Sequence, residues 1–234
     1  AEAVAELMDG VEVVVHTAAI HPWKPYTDDQ YMDNNIKPVH YVLKTAAAKG
    51  VRRVVYTSSI AAIGYDIGLE ELPLVESAPA RPNDLYGCTK WFGEVLCQTA
   101  SRQTELETVC LRPPAFMPKP ELDRGLSLLG MWADVSDVAA AHVAAVSAPM
   151  PSRCEAFWTT GPLPYTKADC AELRQSPWVV VERYWPGVVE WFAARGREIP
   201  PVPILYDLSR SRDILGWEPK YSFEVWWEEH AHEL

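Results

Sequence analysis

Three short β-branched runs, separated by stretches of helical character, leave this chain few folds to choose from. Residues 11–16 are apolar on both faces, the pattern of a strand covered by helices on both sides rather than exposed on one, and residues 53–57 and 107–111 read as the next strands. Between them, residues 28–49 read as a helix entry and a long helix closed by Gly50, a natural residue just past a helix end, with Pro38 predicting a kink or a late start. Residues 86–102 read as a second helix. Strand, helix, strand, helix, strand at this spacing predicts an α/β fold with a parallel sheet and helices on its faces.

The flanks follow the same logic. Residues 1–8 are helical in character and stop at Asp9-Gly10. Residues 113–120 form a proline-rich loop, Asp137 is the expected N-cap of an alanine-rich helix over 138–147, and residues 156–160 are expected to be a further strand. After Gly161 the character changes, with Trp178, Trp185, Trp191, Trp217, Trp226 and Trp227 crowded into the remaining chain. The expected division is residues 1–160 as the sheet-bearing part and 161–234 as a small helical lobe packed over the sheet edge. Those tryptophans are expected to be core of the lobe rather than a stacking surface.

Charge and thiol usage exclude several function classes. A net charge of -11 and the lack of any basic run argue against nucleic-acid binding. The odd set Cys88, Cys97, Cys110, Cys154 and Cys170, with no C-x-x-C pair, predicts neither a disulfide framework nor a zinc site; reduced thiols and a cytoplasmic location are expected. No apolar stretch approaches the roughly 18 residues of a membrane span, and no basic segment at the start predicts a signal peptide. His230 and His232 with Glu228, Glu229 and Glu233 read as a solvated tail rather than a metal site.

The candidate chemistry lies in Ser59, Tyr86 and Lys90. Tyr86 and Lys90 are four residues apart at a helix start and share one face. A phenol of pKa about 10 is a poor base at neutral pH; a nearby ammonium favours its phenolate and brings it into range for proton transfer. Ser59, at a strand end, is placed to hold the oxygen that gains or loses the proton. A Tyr-x-x-x-Lys pair by itself is a weak pattern. Ser59 is not in a G-x-S-x-G elbow, so a serine hydrolase is not expected.

The ordered surroundings of that pair strengthen it. Val13 through Ala19, Asn34-Asn35-Ile36, Val54 through Ser59 followed by Gly64, Glu76 followed by Pro82 and the Tyr86 to Lys90 segment, Leu111-Arg112-Pro113-Pro114, Val135-Ser136-Asp137-Val138-Ala139 and Leu215-Gly216-Trp217-Glu218-Pro219 together resemble the extended short-chain dehydrogenase/reductase family, also called the NAD-dependent epimerase/dehydratase family. The resemblance implies a Rossmann-like parallel sheet and an NAD(P)-dependent oxidoreductase acting on a hydroxyl or keto group of a small sugar-like molecule. Tyr86 would be the general acid/base, Lys90 would lower its pKa and bind the nicotinamide ribose, and Ser59 would hydrogen-bond the reacting oxygen. Ala18, Ala19, Thr57, Tyr86, Lys90 and Pro113 would touch NAD or NADP. Asn35 would pin backbone, His16 would be a satisfied strand-end residue, and Arg112 would meet either a substrate anion or a structural carboxylate. A homodimer is compatible with the family.

Two departures qualify what the resemblance implies. No glycine-rich strand-turn-helix is present to cradle a pyrophosphate, and the first strand corresponds to the family's fourth. The expectation is therefore an incomplete fragment, inactive by itself, with its first strand at a sheet edge where an apolar neighbour should pair. The stretch 113–137 is short, which favours a small substrate over the nucleotide-sugar of an epimerase or dehydratase. A non-catalytic dinucleotide-binding sensor is the remaining alternative, disfavoured by the retained Ser59, Tyr86 and Lys90.

Overall fold

The computed structural model describes residues 2–232; Ala1 at one end and Glu233 and Leu234 at the other lie outside it, and with them one member of the His/Glu tail. A short helix α1 (Glu2–Leu7) leads into β1 (Val13–His16), and α2 (Asp28–Tyr31), a π-helical turn over Met32–Ile36 and α3 (Lys37–Ala48) form one bent helical unit. Then come β2 (Arg53–Thr57), α4 (Leu85–Gln103), β3 (Glu107–Arg112), α5 (Glu121–Leu128), α6 (Val135–Ser147) and β4 (Cys154–Trp158). The strands pair in parallel in the order β1-β2-β3-β4. Helices α3 and α4 bury Val39, Leu43, Ala46 and Cys97 against one face of the sheet, and α6 buries Ala141 and Ala145 against Val55, Val109 and Phe157 on the other. This is the expected α/β architecture, parallel and covered on both sides.

Local chemistry explains the element ends. Thr27 caps α2 reciprocally with Gln30, the capping-box arrangement that satisfies two orphan amides. Pro38 sits in the first turn of α3, where its missing N–H costs nothing; of the kink or late start expected there, the structure has the late start, preceded by the π turn. Gly93 lets α4 lie close to the sheet, and Gly87 lets it lie close to the 3₁₀ turn after β2. A Cβ at Gly93 would stand 2.2 Å from the Tyr56 hydroxyl, and one at Gly87 would stand 2.5 Å from the Ala61 carbonyl.

Several details differ from the sequence reading. Strand β1 begins at Val13 rather than residue 11, and Val15 is 43% exposed, because this strand pairs only with β2. Helix α6 starts at Val135, and its N-cap is Asp134, which accepts from the Ser136 amide. The Asp137 carboxylate instead accepts from the amides of Lys220 and Tyr221, so a tertiary demand decides which aspartate caps. The last strand spans 154–158 rather than 156–160, and α5 follows the proline-rich loop in a stretch to which the sequence reading assigned no element.

Beyond β4 the chain forms α7 (Cys170–Gln175), α8 (Pro177–Tyr184), α9 (Val188–Ala193), α10 (Ser209–Leu215) and α11 (Phe223–His230). Trp191, Phe192, Phe223 and Trp226 pack there with Leu128 and Leu129, and Trp217 joins the α6 side of the sheet. These aromatic rings are core, as expected; Trp178, half exposed on α8, is not. No described helix is long and apolar enough to cross a membrane.

Candidate active site

A cleft of about 380 Å³ opens at the carboxyl ends of β1, β2 and β3, where ligands of open parallel sheets bind. The segment after β1 supplies Thr17, Ala19, His21 and Trp23; the segment from the end of β2 supplies Thr57, Ser58 and Ser59; helix α4 supplies Tyr86 and Lys90; the segment after β3 supplies Pro113 and Pro114. Of the residues singled out in the sequence, Ser59, Tyr86, Lys90, Ala19, Thr57 and Pro113 thus converge. Ala18 does not line the cleft; alternate residues of an extended segment point to opposite sides, and its neighbour Ala19 takes that place.

Helix α4 presents Tyr86, Lys90 and Glu94 on one face, one turn apart, and all three are buried. The Lys90 ammonium donates to the Thr57 carbonyl at 2.8 Å and lies 5.8 Å from the centre of the Tyr86 ring. Burial lowers its pKa to about 8, opposed by the Glu94 carboxylate. Ser59 opens the short 3₁₀ turn after β2 and accepts from the Ala61 amide at 3.2 Å. Burial pushes the Tyr86 phenol up to about 12, and its hydrogen bond with Ser59 pulls the other way. The expectation that Lys90 depresses Tyr86 is therefore corrected here: desolvation of the phenol wins.

Neighbouring residues brace this group. Asn35, displaced inward by the π turn, accepts from the Ile20 amide at 2.8 Å and donates to the Ile20 carbonyl and the Thr89 hydroxyl; it pins the segment after β1 onto α4. Arg112 pairs with Glu94 at 2.7 and 2.9 Å, both side chains inaccessible, and does not reach the cleft. Of its two expected roles it has the structural one. Ser58 donates to the same Glu94 at 2.5 Å. His16 is not satisfied: its Nε2 is buried without a hydrogen-bond partner among the described residues, and burial together with Lys90 lowers its pKa to about 4.

Two contributors, His142 and Trp23, escaped sequence reasoning, and His21, whose role the sequence left ambiguous, joins them. His142 on α6 donates from Nδ1 to the Val138 carbonyl, so its Nε2 accepts from the Thr57 hydroxyl at 2.7 Å. His21 lies between Tyr86 and Trp23, with ring centres 4.6 and 4.1 Å away. Trp23 lines the cleft with 57% of its surface exposed. No local pattern marks any of them, since each is brought to the site by the fold.

Comparison with known proteins places the chain among related sequences and folds. The model of the NAD dependent epimerase/dehydratase family matches residues 1–119. A uronate dehydrogenase of Agrobacterium fabrum is 32% identical over 158 residues, covering 68% of this chain and 57% of that protein. A uronate dehydrogenase of Pseudomonas syringae is 27% identical over 58% of this chain and 47% of its own length, so the chain spans about half the length of the curated relatives it matches. Among solved structures, uronate dehydrogenase from Agrobacterium tumefaciens superposes with a TM-score of 0.67 at 25% identity, over 99% of this chain and 69% of that one. The fold is shared by a UDP-glucuronic acid 4-epimerase from Bacillus cereus in complex with NAD, with a TM-score of 0.67 at 19% identity, over 94% of this chain and 73% of that one.

Proposed function

The chain belongs to the NAD dependent epimerase/dehydratase family, and from that premise we propose that it carries the catalytic part of an NAD-dependent oxidoreductase acting on a hydroxyl or keto group of a small, uronate-like sugar. The observation that carries the reading is the meeting of Ser59, Tyr86 and Lys90 in one cleft at the strand ends.

The residues present fit the nicotinamide end of the cofactor. Lys90 has three ammonium donors and Thr57 takes one, leaving donors for ribose hydroxyls. Ala19, Pro113 and Pro114 offer small or flat apolar surface for a ring. A nicotinamide held there would supply the hydride acceptor for oxidation of the carbinol carbon. The chain's own residues handle the proton. Ser59 hydrogen-bonds the substrate oxygen, and the Tyr86 oxygen takes the hydroxyl proton as the carbonyl forms, returning it in the reverse direction. The Lys90 ammonium favours the phenolate that oxidation requires, against the burial that opposes it. A 4-epimerase would use the same three residues with a transient ketone.

The complete gene product, assayed by NADH formation with hexuronates, is expected to lose turnover by at least about 10²-fold in Tyr86→Phe, with an unchanged circular dichroism spectrum. Turnover within tenfold of wild type would remove Tyr86 from the mechanism.

A further inference from the structure

Trp23 stands apart from the other tryptophans. It is more than half exposed yet lines the reactive cleft, at the tip of the segment that follows β1. Its indole packs on His21, and His21 packs on the phenol of Tyr86, each pair tilted, at 49° and 55°, so the three rings follow one another in contact along one side of the cleft. His21 is half buried, with Nδ1 out of solvent and unpartnered among the described residues. Burial and the Lys90 charge lower its pKa, so at neutral pH it is an uncharged imidazole. It can then donate or accept a hydrogen bond without competing with the ammonium.

The charge of the lining adds to this. Lys90 is the one lysine or arginine among the described cleft residues, one of its three donors goes to the Thr57 carbonyl, and the remaining fixed charge is the carboxylate of Asp84. A diphosphate is held by several cations or a cluster of free amides; the described lining of this cleft contributes the single cation Lys90. The lining offers an open aromatic face beside a neutral polar ring, next to a proton-transfer group.

We infer that Trp23 and His21 form the substrate wall for a free monosaccharide: the apolar face of a pyranose lies on the Trp23 indole, His21 hydrogen-bonds a ring hydroxyl, and the adjoining carbinol reaches Tyr86. This rests on the oxidoreductase reading above and specifies its substrate as an unactivated sugar or sugar acid rather than a nucleotide-sugar.

The test uses the complete gene product with NAD, D-glucuronate and UDP-glucuronate. Trp23→Ala is expected to raise KM for glucuronate about 10-fold with kcat within about threefold and KM for NAD unchanged, and Trp23→Phe to recover most of the loss. His21→Phe, which keeps the ring packing, is expected to lower kcat/KM by about 3- to 10-fold. Saturation-transfer NMR is expected to show the ring protons of one glucuronate face closest to the protein, and that signal should fall in Trp23→Ala. An unchanged KM in Trp23→Ala, a KM for NAD that rises with it, or a preference of the wild type for UDP-glucuronate would each overturn the inference. Retained turnover in Tyr86→Phe would instead overturn the acid/base reading. The NMR contact would then decide the wall alone, sustained if it depends on Trp23 and refuted if it does not.

Discussion

Replacing Lys90 by Met should show that a functional group is held at the expense of stability, with a pH signature of definite sign. The ammonium is 3% exposed, and burial takes its pKa from 10.5 down to about 8. The unfolded chain therefore binds this proton more tightly than the folded one. Between about pH 8 and 10.5 unfolding takes up a proton, so stability rises with pH across that window. Below about pH 8 both states are charged and the full penalty is present. A gap of about 2.5 between the two values, at about 1.36 kcal/mol for each, amounts to about 3 kcal/mol at pH 7 and falls below about 1 kcal/mol by pH 10. The hydrogen bond to the Thr57 carbonyl returns only about 1 kcal/mol, so Lys90→Met is expected to be at least as stable as wild type at neutral pH. Urea unfolding of both proteins by circular dichroism at pH 7, 8, 9 and 10 gives the difference directly, and the tyrosine titrations shared by both cancel. Wild type is expected to gain about 2 kcal/mol on Lys90→Met from pH 7 to pH 10. A difference constant to within about 0.5 kcal/mol, or one moving the other way, would refute the buried, depressed lysine.

The Glu94–Arg112 pair predicts a different pattern. Arg112→Met strands a buried carboxylate and is expected to cost about 3–5 kcal/mol in urea unfolding, with the double variant Glu94→Gln/Arg112→Met recovering much of it; a single-variant loss under about 1 kcal/mol would contradict the burial described. The 234-residue sequence contains no glycine-rich turn after a strand, and the cleft residues proposed above would hold the nicotinamide end of a dinucleotide. Calorimetry is expected to find NAD binding weaker than micromolar, and a micromolar Kd would show that another segment cradles the pyrophosphate.

What could be read from the sequence follows the range over which each feature is fixed. Tyr86 and Lys90 share a face because helix geometry alone puts them there, and the strand runs were legible because burial on both faces writes itself into composition. Asn35 was legible through its motif, and the π turn then supplied its orientation. The N-cap was not, because Asp134 and Asp137 are equally good caps locally and only the amides of Lys220 and Tyr221 claim the second. His142 and Trp23 were invisible for the same reason: nothing near them in the chain says which strand end they will face. The sign of the Tyr86 shift belongs to this second class. Spacing supplied a neighbouring charge, but the depth at which Gly93 and Gly87 let α4 sink onto the sheet and the 3₁₀ turn after β2 sets the desolvation. The same sinking depresses Lys90, so one packing decision raises the acid and lowers the base together. The two groups are thereby brought from a separation near zero in their ordinary values, 10.0 and 10.5, to about 12 and about 8. A pair separated in that order is a neutral phenol beside a titratable amine, a donor ready for carbonyl reduction. Running the pair as a base for oxidation requires that the substrate-side hydrogen bond from Ser59 and the positive charge at Lys90 together outweigh burial. For that reason Ser59, and not the lysine alone, is needed to make Tyr86 a base.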